Sequence, residues 1–327
     1  MEVCLAMALL AMSALSALLA GPGPGAYLFA HRLKEDYGRL YYSVSRDGLE
    51  WTVLNNRKRI TDDYRGHPDI CRGHDGRYYL IGNDAGKPEI TVWASDDLIA
   101  WARHAEFTPG FDNIPGFTRG EHHNGAPKIY WDAPLQTYLI TWHTPMKRAS
   151  KEDPELMWSS MRTLYVASKD LKEFSAPRRL FEFEIATIDA IVRRVGDKCY
   201  AIVKDERMPS TEWPTGKTIR VCVSDNLFGP YSPPGPSITS SFREAPTLIP
   251  RPEGEGWHLY CEQYPGIRYE CFSAPRPAGP WKNVPSESVS VTRGARHGAM
   301  IPITLDQYNA IRDAYPNTPE PDGEARR

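Results

Sequence analysis

From residue 26 to residue 304 apolar and polar positions alternate with period two in short runs broken by Gly, Pro and Asp, which predicts strands and turns. One unit comes back five times: an alternating run, a serine, then an aromatic six to eight positions later. It reads YYSVSRDGLEW at 41–51, TVWASDDLIAW at 91–101, TLYVASKDLKEF at 163–174, IRVCVSDNLFGPY at 219–231 and IRYECFSAPRPAGPW at 267–281. The serines stand at 45, 95, 168, 224 and 273, a spacing of 49 to 73 residues that fits a four-stranded blade. The repeat therefore predicts an all-β chain folded as a five-bladed β-propeller. In each unit a turn side chain would bond nearby amides, and the aromatic would start the next strand and pack on the adjacent blade.

Each blade should open with an inner strand: at 66–84, 124–144, 188–207, 244–264 and, as a last copy with no partner hairpin, 296–304. The strands that this last copy lacks are at the other end of the chain. The C-terminal strand is thus expected to close the ring with residues 26–51, which removes the free sheet edges. Two insertions, 103–123 and 145–162, are rich in Gly, Pro and charge and are expected to wall a pocket. Residues 1–20 form an apolar run ended by GPGPG and read as a signal peptide, although the run carries Glu2 and no basic residue. The domain reading is therefore a leader at 1–20, a catalytic propeller at 26–304 and a disordered tail at 316–327, with a secreted or periplasmic destination.

Near-neutral charge, with 39 basic against 41 acidic residues, gives no electrostatic reason to expect nucleic acid as a partner. No later segment is long and apolar enough to span a bilayer. A polar, neutral ligand suits the chain better, and its 9 Trp, 17 Tyr and 10 Phe offer faces on which sugars stack. Five cysteines remain after the leader, an odd number in strand sequence; Cys261 and Cys271 are the pair to test for a bridge.

The inner strands carry the candidate chemistry. Registered on the small residue that follows, they place His67, Ala126, Asp189, Glu244 and His297 in one ring at a mouth of the axial channel. A packed core has no need of four polar residues at equivalent positions of apolar strands. With the S-x-D-L-x-x-W units, IDA at 188–190, KDER at 204–207, EAP at 244–246 and RHG at 296–298, the chain resembles the propeller glycosidases of glycoside hydrolase family 43, over residues 26–304. That resemblance implies a hydrolase for oligosaccharides or polysaccharides that needs no cofactor. Glu244 would be the general acid and Asp189 the carboxylate that tunes it, and His297 would face an axial water or a calcium ion.

Inverting hydrolysis of a glycosidic bond needs one protonated carboxyl at the leaving oxygen and one base activating water on the other face, roughly 6.5 to 9.5 Å apart. A neighbouring carboxylate at Asp189 would favour the protonated form of Glu244. Two departures from the family pattern affect this reading. Its first-strand Asp-Pro is His67-Pro68 here, so the base is either Asp69, two residues on and on the same strand face, or His67 itself; Asp62 and Asp63 are weaker candidates. The second blade has Lys128 where the family carries a carboxylate, which suggests a different subsite charge, such as an acidic sugar. His123 and Asn124 should reach the same mouth, as should Glu121 and His122, while His143, Lys204, Arg207 and Arg268 are candidates to position substrate. A neighbouring propeller group uses a His as acid, which keeps His67 and His123 open for that role. The rival expectations are a carbohydrate-binding propeller without catalysis and a protein interaction platform.

Overall fold

The computed structural model describes residues 25–84, 86–111, 114–117, 123–147, 153, 155–264, 266 and 268–318. Five antiparallel sheets stand around one axis, as the repeat predicts. The first sheet holds β1 (Ala26–Leu33), β2 (Asp36–Ser45) and β3 (Thr52–Val53), with β19 (Ala295–Ile303) innermost. The second runs outward from β4 (Asp69–Arg72) through β5 (Tyr78–Gly82) and β6 (Ile90–Ser95) to β7 (Ala102–Phe107). The third runs from β8 (Gly125–Asp132) through β9 (Thr137–Pro145) and β10 (Met161–Ser168) to β11 (Arg178–Arg179). The fourth has three strands, β12 (Thr187–Val195), β13 (Lys198–Asp205) and β14 (Thr218–Ser224). The fifth has β15 (Arg243–Pro250), β16 (Trp257–Gln263), β17 (Arg268–Ala274) and β18 (Lys282–Asn283). β1 pairs antiparallel with β19 from Ala26–Ile303 onward, so the chain ends close the ring.

The repeated turn has a clear hydrogen-bond logic. Ser45, Ser95 and Ser168 accept from the amides of Gly48, Leu98 and Leu171, while Asp47, Asp97 and Asp170 each accept from the two following amides. Gly48, Leu98 and Leu171 all take left-handed backbone, at φ 73°, 67° and 57°. Side-chain acceptors that satisfy the turn's amides offset the strain this costs a leucine. The fourth blade has Asn226 where the first three carry this Asp, and the segment beside β14, SPPGPS at 232–237, bonds the strand through Ser232 and Gly235. Its three prolines have no N–H to give, which leaves that sheet one strand short of the others.

Five buried apolar clusters fill the interfaces between successive blades. Trp51 packs edge-on to Phe29 and Tyr260, and the Trp101 indole N–H donates to the Tyr42 hydroxyl at 2.7 Å. Cys261 lies in the cluster between the fourth and fifth blades and Cys271 in the cluster between the fifth and first. Both are free thiols, because offset positions on paired strands point to opposite sheet faces.

Two elements go beyond the sequence reading. The first insertion begins as a strand, β7, because ARHAEF pairs along β6. A C-terminal helix, Leu305–Ala314, follows β19; Thr304 and Gln307 close a capping box at its start, and Ile311 buries against the first blades. Just beyond it, within the expected tail, Asn317 bonds the backbone of Asn56 and Val53. The expected leader, Glu121, His122 and the chain from residue 319 lie outside the described residues.

Candidate active site

The inner strands do not run straight into the axis. Ala126, Asp189, Ala245 and His297 have left-handed backbone, at φ 41°, 53°, 52° and 25°, and each sits where the ladder to the next strand loses register. Such bulges turn residues out of the pairing plane and free their amides. Three of these amides are taken by side chains of the preceding blade. Asp189 N donates to His143 Nδ1 at 3.3 Å, Ala245 N to Asp189 Oδ2 at 3.0 Å and His297 N to Glu262 Oε2 at 2.9 Å.

These bulges correct the register read from the sequence. Glu244 is equivalent to Ile188 and Arg296, and Ala245 to Asp189 and His297. The small residue used for alignment lies after the bulge in the fourth blade and on it in the fifth. Glu244 is therefore one position outward of Asp189.

Both nevertheless line one cavity of about 500 Å³ at the channel mouth, together with His67, His123, Asn124, His143 and His297. The insertions contribute His123, Glu155 and Trp158 to its wall, and Tyr37, Met208 and Phe242 stand exposed at its rim. Asp189 Oδ2 and Glu244 Oε1 lie 3.6 and 3.8 Å from the same atom, His297 Nε2. The other oxygen of Glu244 accepts from Lys204 Nζ at 3.1 Å, and Arg296 Nη2 donates to Oε1 at 2.9 Å. Lys204 also pairs with Glu206 at 2.7 Å and sits 4.2 Å over the Tyr264 ring. Glu206 and Glu155 share Lys217. Arg296 and His297 both pair with the buried Glu262. The result is a continuous belt of alternating charge around the mouth.

The belt divides the histidines by charge. Burial alone would discharge His297, but Glu262, Glu244 and Asp189 outweigh it and hold the imidazolium, with its pKa raised to about 9. Asp189 is buried as well, yet the hydrogen bond and charge of His297 keep its carboxyl well below the usual range. Burial pushes His67 well below its ordinary value, assisted by the charge on His297, and takes His143 down to about 3.

Four expected residues, and the two weaker candidates Asp62 and Asp63, lie elsewhere. Asp69 is 1% exposed and does not reach the cavity wall; its Oδ2 accepts from Ile129 N at 2.8 Å, tying the second blade to the third. Its position matches that of Thr247, whose hydroxyl accepts from Met300 N between the fifth and first blades. Lys128 is buried and outside the wall, close enough to act on Asp189 and His67 by charge. Arg207 clamps the buried Asp205 and stacks on Trp213 at 3.6 Å, and Arg268 is exposed on Gln263. Asp63 bonds Trp93 and Arg103, and Asp62 faces solvent beside Arg59.

Residues not expected in the site include Arg32, Glu206, Lys217, Glu262 and Arg296. Glu206 and Arg296 lie inside the KDER and RHG motifs, which was the available signal. Nothing local marks Lys217, whose partners Glu155 and Glu206 lie on other elements, or Arg32, which only the folding of β1 against β19 brings to the wall.

A metal could be held by Glu244, Glu262 and His297, whose ligand atoms lie within 4.8 Å of one another. Calcium takes six to eight oxygens, whereas this group offers two carboxylates and an imidazole. Arg296 already bonds both carboxylates, so a divalent ion would have to displace a guanidinium.

Five blades around a mouth lined with paired carboxylates and histidines define a propeller of the glycosidase type. The chain belongs to the family of glycosyl hydrolase domains related to glycoside hydrolase family 43, described as a "probable glycosyl hydrolase domain", which matches residues 24–309. A 192-residue stretch is 27% identical to an α-L-arabinofuranosidase of Bifidobacterium longum subsp. longum, covering 51% of this chain and 18% of that protein. Among solved structures, the fold is similar to an exo-β-1,3-galactanase from Clostridium thermocellum, with TM-score 0.54, 16% identity and coverage of 71% of this chain and 51% of that one. It is also similar to an α-L-arabinofuranosidase from Lactobacillus brevis, with TM-score 0.52, 13% identity and coverage of 67% and 72%. An exo-β-1,3-galactanase from Phanerochaete chrysosporium gives TM-score 0.51 at 15% identity, over 67% of this chain and 49% of that one. The chain thus spans under a fifth of the curated arabinofuranosidase and about half of each galactanase chain.

Proposed function

We propose that the protein is an exported glycoside hydrolase that releases a terminal arabinose- or galactose-type sugar from plant or algal polysaccharide fragments, with inversion. The observation that carries this reading is the convergence of Asp189 and Glu244, from different blades, on His297 Nε2 in the wall of one cavity. Glu244 is the general acid: it protonates the leaving oxygen as the glycosidic C–O bond breaks, and the adjacent imidazolium of His297 is its proton source. Asp189 holds His297 in place and charged. His67 stacks on His297, with its ring centroid 4.2 Å from that of His297 and its Nε2 without a partner. A neutral imidazole there accepts the proton of the attacking water. His67 is the better base because Asp69 is outside the wall. A walled pocket of about 500 Å³ favours an exo mode, and each proton transfer in this reaction has a side chain of the chain itself to carry it.

A second reading has its own support. Lys204 and Arg296 each donate to Glu244, and a carboxylate so engaged suits a sugar-binding propeller without catalysis. Aryl α-L-arabinofuranosides and β-D-galactopyranosides separate the two. Hydrolysis that falls by about 10³-fold in Glu244→Gln, with sugar affinity retained, is expected for an acid catalyst. Failure to cleave any glycoside of a broad panel while oligosaccharides still bind would leave only the binding role.

A further inference from the structure

The charges of the cavity wall leave one remainder. Glu155 and Glu206 share Lys217, Glu206 and Glu244 share Lys204, Glu244 also takes Arg296, Asp189 faces His297, and Lys87 pairs with Asp84. Arg32 has no such partner. It lines the cavity at 6% exposure, and among the described residues no carboxylate pairs with it. Its single hydrogen bond is from Nη1 to Leu33 O at 3.4 Å, and its Nε is buried without any partner.

The fold itself gives no reason for this charge. Arg32 on β1 stands opposite Arg296 on β19 in the strand register, and like charges at facing positions are unfavourable. Burial and Arg296 lower its proton affinity, and Glu262, itself paired with Arg296 and His297, is the largest charge acting the other way. The guanidinium is nonetheless held in place, 4.7 Å over the ring of Tyr37 at the cavity rim. A buried guanidinium without a counter-charge is costly unless a ligand brings one. Its two-donor edge matches the planar oxygens of a carboxylate or those of a sulfate ester.

We propose that Arg32 makes the cavity a subsite for an anionic sugar, whose carboxylate or sulfate ester seats on the guanidinium. The proposal rests on the reading that the cavity binds a saccharide, but not on catalysis.

Calorimetric titration of the Glu244→Gln protein tests it without turnover, with galacturonate and galactose 6-sulfate each compared with galactose. One charge-assisted pair predicts a preference of roughly 10-fold or more for at least one anionic sugar, and the two arms tell carboxylate from sulfate. Adding Arg32→Met should shrink that ratio to about 2-fold, and Arg32→Lys should retain part of it, since charge survives without the fork. Arg32→Gln, which keeps the stem and a polar head, takes the place of Arg32→Met if the latter does not fold. Equal binding of neutral and anionic sugars overturns the proposal, as does a preference that survives Arg32→Met or Arg32→Gln. Inorganic sulfate binding as tightly as the sulfated sugar would also overturn it. A protein that cleaves neutral glycosides with no acidic preference refutes this inference alone; one that prefers acidic sugars and cleaves nothing refutes only the hydrolase.

Discussion

His67 and His297 lie stacked, with ring centroids 4.2 Å apart and planes 28° from parallel, and the two rings carry different charges. His297 keeps its proton to about pH 9 among three carboxylates, while His67 is held neutral beside it. An imidazole on an imidazolium is a polar contact that two cations would break.

This division predicts how stability varies with pH. The proton on His297 is bound more tightly folded than unfolded, so its contribution is complete below pH 6.5 and is lost as pH rises through about 9. The difference is on the order of 3 kcal/mol. His31, His143 and His258, lowered to about 4, 3 and 4 by burial, act in the opposite sense. Unfolding protonates them, so stability falls as pH drops below 6.5. Denaturant titrations across pH should show a maximum near 6.5, and His297→Gln should flatten the alkaline limb. An unchanged alkaline limb in that variant would contradict the charge assignment.

Lys204 bridges Glu206 and Glu244, and it is almost wholly buried. Lys204→Met therefore leaves two carboxylates facing one another without their shared cation, at a cost of about 3–5 kcal/mol in chemical denaturation. Adding Glu206→Gln should recover part of the loss. Simple additivity in this cycle would mean that the two residues do not interact.

Asp69 and His67 are separated by their contacts. Asp69→Asn keeps an oxygen for Ile129 N and should change kcat by less than about 3-fold, while Asp69→Ala should cost about 1–3 kcal/mol of stability. His67→Ala should lower kcat by roughly 10²-fold or more with the fold intact. The reverse ranking of Asp69→Asn and His67→Ala would return the base to Asp69.

Arg207 belongs to the scaffold. It shares Asp205, which is fully buried, with Arg220, and both guanidinium groups stack on Trp213. Arg207→Ala should reduce stability by about 1–3 kcal/mol and leave KM unaltered, as one of two cations on a buried carboxylate is lost. A raised KM at unchanged stability would place Arg207 on the substrate instead.

The sequence by itself determined the five blades and their closure. Period-two alternation and the Ser-to-aromatic unit are local signals, and pairing β19 with β1 is the way those signals leave no open edge. It also named four residues that line the mouth, His67, Asp189, Glu244 and His297, which stand at or near the starts of their inner strands. What only the tertiary structure decided was the bulge register, which moved Glu244 one place outward of Asp189, and the partner of each charge. Asp69 turned inward to Ile129, Arg207 turned to Asp205, and Arg32 came to the wall with no carboxylate to meet it. Ion pairing depends on ångström-scale placement of groups from different blades, and strand periodicity, a property of neighbours along the chain, carries no record of it.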